Sequence, residues 1–373
     1  MISVTPCTTR ADQNLFERIP EMLHGKNPSF VPPFPGSVAK FLKKDSLFNR
    51  QDGMITGFIA RKDGRPVGRI AAIHNRSHNT YWNDRVGFFG FFACEDSEET
   101  AKALFTEAEK VVRAAGCDAL RGPYNPTINE ECGLLLEGFD EPPNISMTWN
   151  LPYYERLVES TGQKVTRTLY GYQMSLHLGI PARVKKIADR LKARSKDVTI
   201  RSFDMKRLDD ELKLAHRLYN VTLDRNWGFV PISLEDLLAS AEDLKAFADP
   251  DFLIFAEVNG VPAGFMLTLP NFNEILLRMK AAPHWLRLPW VLWLMKTHHI
   301  RSVRQAVLGV APEHRDRGLA ALMVHDMVLR TQRTADWAEL SWIEANNTEV
   351  INLIKLMGAE QSRTYAIYEK PLS

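Results

Sequence analysis

The chain carries one pattern twice. ARKDGRPVGRI (60–70) and AEVNGVPAGFM (256–266) share the order Ala-x-x-Asp/Asn-Gly-x-Pro-x-Gly, with Gly64 and Gly260 standing 196 residues apart. A second pair keeps the same offset: in GQKVTRTLYGYQM and GAEQSRTYAIYEK, Gly162, Arg167, Thr168 and Tyr172 correspond to Gly358, Arg363, Thr364 and Tyr368. Two distant matches at one offset leave little room for accident, and a repeat of this length fixes the architecture before any single element does. The chain therefore reads as one domain written twice. The first copy spans 1–176 and the second 198–373. HLGIPARVKKIADRLKARSKD (177–197), a proline followed by a basic helical pattern, connects them.

Within each copy the Asp-Gly or Asn-Gly pair lies between apolar, strand-like runs, which predicts a tight β-hairpin. The second copy reads as a strand at 198–203, helices at 207–227 and 233–245, the hairpin at 252–269, a strand at 304–310, a helix at 317–333, a strand at 337–343, a helix at 347–357 and a strand at 363–369. Strands alternating with helices after an antiparallel start imply an α/β fold with a mixed sheet. Superposing the helix SEETAKALFTEAEKVV on RDRGLAALMVHDMVLR requires an offset near 218. The copies then differ by two insertions: YNPTINEECGLLLEGFDEPPN (124–144) in the first, and a Trp-rich stretch (272–300) in the second. The first lines an acceptor pocket or forms a structural loop. The second is a wall packed on the first copy, an oligomer contact or a membrane-surface patch.

Composition excludes several classes. The net charge is only +2, with acids and bases mixed throughout, so the concentrated basic face of a nucleic-acid binder is missing. Cys7, Cys94, Cys117 and Cys132 are scattered without metal-ligand spacing, and His298-His299 has no third ligand in sequence; no metal site is expected. No secretory signal is visible at the N-terminus. The most apolar stretch, WLRLPWVLWLM (285–295), is half the length of a membrane span, which needs about 20 residues. A cytoplasmic protein without a membrane span is expected.

One junction carries chemistry. In VAPEHRDRGLAALM (310–323) a strand-like run meets a helix-like run. The first N–H groups of a helix lack partners and carry partial positive charge, which suits a phosphate. Gly318 permits close backbone approach, Ala320 keeps the first turn open, and Arg315 and Arg317 add bidentate charge. A diphosphate is expected over Arg315, Asp316, Arg317, Gly318, Leu319 and Ala320. The competing reading is a solvated charged loop.

These residues, with the hairpin upstream and the strand and helix downstream, resemble the GCN5-related N-acetyltransferase (GNAT) superfamily. Its Arg/Gln-x-x-Gly-x-Gly/Ala loop corresponds to Arg315-x-x-Gly318-x-Ala320. Its following Asn-to-Gly motif corresponds to Asn347 and Gly358. The resemblance implies two tandem GNAT-like acyl-CoA N-acyltransferase domains, with acetyl-CoA or another acyl-CoA as co-substrate. It also implies an open V between strands 304–310 and 337–343. There Leu308, Gly309 and Val310 would contact the pantetheine arm, and Asn347 would lie near the thioester. Glu344, at the end of the strand ELSWI, is the candidate general base. Ile354 stands where the family often has a tyrosine acid, so Tyr365 or Tyr368 on the next strand would have to substitute. The first copy has Ser97 and Thr100 at the positions of Arg315 and Gly318, amid Glu95, Asp96, Glu98 and Glu99. Carboxylates there repel a diphosphate, so this copy would shape the acceptor site or support its twin.

The expected activity is N-acyl transfer, most simply acetyl transfer, to a small-molecule or peptide amine, in a monomer or homo-oligomer. One rival is an aminoacyltransferase that uses aminoacyl-tRNA; such proteins generally lack the phosphate loop. The other is a CoA-sensing or interaction protein without chemistry.

Overall fold

The computed structural model describes residues 1–51, 53–244 and 249–372. Strands β1 (Ile2–Pro6), β2 (Gly53–Lys62), β3 (Arg65–Asn75), β4 (Val86–Cys94), β5 (Ala119–Gly122) and β6 (Leu134–Glu137) alternate with helices α1 (Arg10–His24), α2 (Leu47–Arg50), α3 (Arg76–Trp82), α4 (Glu98–Ala114) and α5 (Tyr154–Glu159). Then follow β7 (Lys164–Ser175), α6 (Ala182–Arg194), β8 (Val198–Ser202), α7 (Leu208–Thr222), α8 (Leu234–Leu244), β9 (Leu253–Val258) and β10 (Val261–Pro270). The remainder is α9 (Asn273–Met279), α10 (Arg287–Thr297), β11 (Ser302–Val310), α11 (Leu319–Thr331), β12 (Trp337–Glu344), α12 (Thr348–Leu356) and β13 (Glu360–Pro371). Every element predicted for the second copy is present and the fold is mixed α/β. Lys245, the last residue of the helix expected at 233–245, lies outside the described residues.

The chain divides into two compact units. Unit 1 is Met1–Leu169, Asn273–Lys296 and Arg363–Ser373; unit 2 is Tyr170–Phe272 and Thr297–Ser362. The last strand of the chain thus counts mostly with unit 1, and the second half of β7 with unit 2. In unit 1 the strand order is β1-β2-β3-β4-β5-β13, with β6 also on β13. In unit 2 it is β7-β12-β11-β10-β9-β8.

The repeated hairpins take the form that their turn residues dictate. Asp63 and Gly64 have φ of 51° and 81°, Asn259 and Gly260 of 51° and 76°. Two successive positive φ angles make the turn whose twist matches the flanking strands. In unit 1, Leu104, Phe105, Ala108 and Val112 of α4 pack with Phe89, Tyr154 and Tyr368. In unit 2, Met323 and Met327 of α11 and Ile351 and Ile354 of α12 build the main core. A smaller cluster joins Ala215 and Leu218 of α7 to Phe203, Phe255 and Phe265. Phe265 and Met266, neighbours on β10, point into these two different clusters, as strand alternation requires.

The Trp-rich insertion is helical and belongs to unit 1. Lys280 Nζ donates to the carbonyls of Asn27 and Phe30 at 2.8 and 3.0 Å. Arg287 forms a two-pronged ion pair with Glu21 of α1, and Asn273 donates to the carbonyls of Pro143 and Asn144. Among the described residues no helix is long and apolar enough to cross a membrane. All four cysteines are free thiols.

Candidate active site

β11 and β12 of unit 2 run parallel and pair from Ser302 opposite Trp337 to Gln305 opposite Leu340. Both strands continue, to Val310 and Glu344, yet among the described residues the ladder stops there. The other edge of β11 shows why. Leu267 faces Val307 and Thr268 faces Gln305, so Ala306 is an extra residue against β10. A bulge bends the strand that carries it, and here it parts β11 from β12. Gln305, Ala306, Val307, Leu308 and Val310 are only half-buried although β11 is a central strand. This is the open V that the sequence resemblance implies.

The strand leads into the expected loop. Pro312–Arg317 forms a turn of 3₁₀ helix, Gly318 adopts the left-handed conformation at φ 72°, and α11 begins at Leu319. The 3₁₀ turn explains why the helix starts two residues later than its periodicity predicts. Among the described residues no side chain caps α11. Leu319 is fully buried in the unit 2 core, while Ala320 and Ala321 keep part of their surface. Leu308 and Val310 pack against that core; Gly309, on the opposite face, is buried. A Cβ at Gly309 would lie 2.0 Å from Thr222 Oγ1 at the end of α7, so only glycine fits.

The two arginines of the loop are held by carboxylates of unit 2. Arg317 Nη2 donates to both oxygens of Asp197, at 3.0 and 2.7 Å, and this hydrogen bond holds the Asp197 carboxyl below the ordinary carboxylate range. Arg315 lies 3.7 Å from Asp224 and donates, at 3.4 Å, to the carbonyls of Val310 and Thr222. Asp316 is exposed. The segment read from sequence as a connector is helix α6, and its Leu191 lies where a Cβ on Gly318 would approach within 3.0 Å. Sequence reasoning missed Leu191, Asp197, Thr222 and Asp224. All four lie 90 or more residues from the loop in sequence, and no motif links them to it. Thr222 is buried, and its hydroxyl has no hydrogen-bond partner among the described residues.

Glu344 ends β12 and is partly buried; its carbonyl accepts from the backbone N–H of Asn347 at 2.9 Å. Asn347 is exposed and caps α12, its side-chain oxygen accepting from Val350 N at 3.3 Å. Unit 2 thus contains Glu344, Asn347, Leu308, Gly309, Val310 and the whole of 315–320. Tyr365 and Tyr368 fall in unit 1, fully buried on β13, with Tyr365 opposite Leu135 and Tyr368 opposite Gly122.

Unit 1 repeats the geometry and closes it. β4 and β5 pair in parallel from Val86 opposite Ala119 to Phe88 opposite Arg121, and β4 runs on to Cys94. Into that opening the chain inserts its own backbone. Tyr124 N donates to Phe89 O at 2.9 Å, and the Asn125 side chain accepts from Phe91 N. Gly90 approaches so closely that a Cβ would lie 1.6 Å from Tyr124 O. The matching helix α4 is capped by the Ser97 side chain, which accepts from Thr100 N, and carries Glu98 and Glu99 in its first turn.

Comparison with known proteins agrees with this architecture. The chain is 30% identical over 384 residues to "Bacterial ceramide synthase" of Caulobacter vibrioides, covering 100% of this chain and 98% of that protein. It is 28% identical over 372 residues to "Protein YghO" of Escherichia coli, covering 97% and 93%. Among solved structures, a tandem GNAT protein from the clavulanic acid biosynthesis pathway superposes with a TM-score of 0.59 at 12% identity, covering 100% of this chain and 98% of its own. The fold is therefore that of a tandem GNAT protein. No family model matches the chain.

Proposed function

We propose that this chain, which belongs to the family of the Caulobacter vibrioides bacterial ceramide synthase, transfers an acyl group from acyl-CoA to an amine at the V of unit 2. One observation carries the reading. The same opening and helix start occur twice, and among the described residues the copy in unit 2 has neither a backbone segment inserted between its strands, which part after Gln305 and Leu340, nor a side-chain cap on α11.

Acyl-CoA is the donor substrate. Backbone N–H groups of 319–321 and the Arg315 and Arg317 side chains would hold its diphosphate, and the edge of Leu308–Val310 beyond the β11–β12 ladder its arm. The acceptor nitrogen attacks the thioester carbonyl, the nitrogen loses a proton to Glu344, the C–S bond breaks and CoA leaves as thiolate. A thiolate is a competent leaving group at an ordinary thiol pKa of about 8.5, so a donated proton adds modestly.

The acyl chain and acceptor follow from the relative rather than from the loop. A ceramide is a long-chain amino alcohol acylated on nitrogen. We therefore propose a fatty acyl-CoA and a sphingoid-type amine as the first pair to assay, ahead of the acetyl-CoA that the sequence resemblance implies. Purified protein with palmitoyl-CoA and sphinganine is expected to release free thiol and form the amide, seen by mass spectrometry, with no thiol release when the amine is omitted. Tight CoA binding with no amide from any amine would favour a CoA sensor.

Asp197 competes with the diphosphate for Arg317. The pair is solvent-screened and therefore weak, so Asp197→Asn is expected to tighten CoA binding by up to about fivefold. Because the Asp197 pKa is depressed, the latch holds above the carboxylate range and opens only as pH falls through the lowered value; the gain therefore appears at neutral pH. Weaker binding by calorimetry would mean that Asp197 orders the loop instead.

A further inference from the structure

We propose that the outer face of the Trp-rich insertion, in the loop before α10 and on α10 itself, docks unit 1 on an anionic lipid bilayer. Six large apolar side chains within nine residues are exposed there: Trp285 (79%), Leu286, Leu288 (52%), Trp290, Leu292 (53%) and Trp293 (52%). The face is held outward, not merely loose. Arg287, Val291 and Leu294 form the buried stripe one helical turn apart, and Arg287 is clamped to Glu21. Lys280 anchors the preceding turn to the carbonyls of Asn27 and Phe30. A helix apolar on both its inner and outer faces needs a second apolar medium on the outside.

Charge decides which medium. From Ile275 to Lys296 the sequence has no Asp or Glu, while Arg278, Lys280, Arg287 and Lys296 lie in the interval, Arg287 paired with Glu21. Arg278 and Lys296 are exposed on either side of the apolar run. A second copy of this face would oppose cation to cation. An anionic membrane surface complements it, and tryptophan is the side chain that settles at the boundary between headgroups and acyl chains. The proposal stands on unit 1 alone, and its failure would leave the reading of the V in unit 2 untouched. A protein at the bilayer surface would meet acyl donors and long-chain amines where they partition.

The test is co-sedimentation of the full-length protein with vesicles of phosphatidylcholine, with and without phosphatidylglycerol. The wild-type protein is expected to pellet with the anionic vesicles, less so at high salt, with a blue shift of tryptophan emission. Trp285→Glu combined with Leu292→Glu is expected to reduce partitioning by at least about tenfold. Leu288→Glu alone, a milder change on the same face, and Lys296→Glu are each expected to weaken it, the latter on anionic vesicles only. Wild-type protein left in the supernatant with both vesicle types, or a double variant that pellets like wild type, overturns the proposal. So does a vesicle-free dimer in sedimentation velocity that the same substitutions dissociate, which would assign the face to a second copy.

Discussion

Gly318→Glu is expected to weaken CoA binding by at least about a hundredfold while the protein stays folded. Three effects act in the same direction. Gly318 has φ 72°, and an L-residue there costs roughly 1–2 kcal/mol. A Cβ at this position lies 3.0 Å from Leu191 Cδ1, the mobile end of a side chain that gives way by a few tenths of an ångström. The largest effect is electrostatic. Two unit charges about 4 Å apart repel by roughly 4 kcal/mol at an effective dielectric of 20; after screening by solvent about half of that is roughly a thirtyfold loss, and the second charge of the diphosphate brings it to about a hundredfold. Gly318→Ala carries the strain without the charge and separates the two causes; it is expected to lose far less affinity. Unchanged calorimetric affinity in the glutamate variant would remove the diphosphate from this loop.

Glu344→Gln is expected to lower kcat by about a hundredfold or more, the range that a positioned general base contributes, with CoA affinity preserved. The amide keeps the size and polarity of the side chain at the end of β12, so a role in ordering the loop that follows would survive the change. The informative readout is the split: kcat falls and the CoA dissociation constant does not. A variant with wild-type turnover would hand proton removal to solvent or to the acceptor itself.

Local chemistry was legible in the sequence wherever a residue dictates its own backbone. Asp63-Gly64 and Asn259-Gly260 specify their turns, and Gly318 specifies the left-handed start of α11. The pattern also placed α11 and α12, though not the core that they share. What the sequence did not disclose depends on partners far along the chain. A repeat says which segments are equivalent but not which unit each strand joins, so the membership of Arg363–Ser373 in unit 1 had no sequence signal. The same holds for α6, a basic amphipathic stretch whose Leu191 meets Gly318 only in three dimensions. The arginines read as free phosphate ligands are ion-paired with Asp197 and Asp224, partners that lie 120 and 91 residues away in sequence. In the first copy the acidic helix start was visible, but the insertion of Tyr124 and Asn125 into the opening between β4 and β5 was not.

The amides at the start of α11 can be observed one by one. In deuterated, ¹⁵N-labelled protein titrated with CoA, the backbone N–H resonances of Leu319, Ala320 and Ala321 are expected to move furthest, accompanied by those of Leu308 to Val310. The N–H groups at the start of α4, Glu98 to Thr100, are expected to stay in place. Shifts centred on α4, or none at α11, would contradict the assignment of the donor site to unit 2.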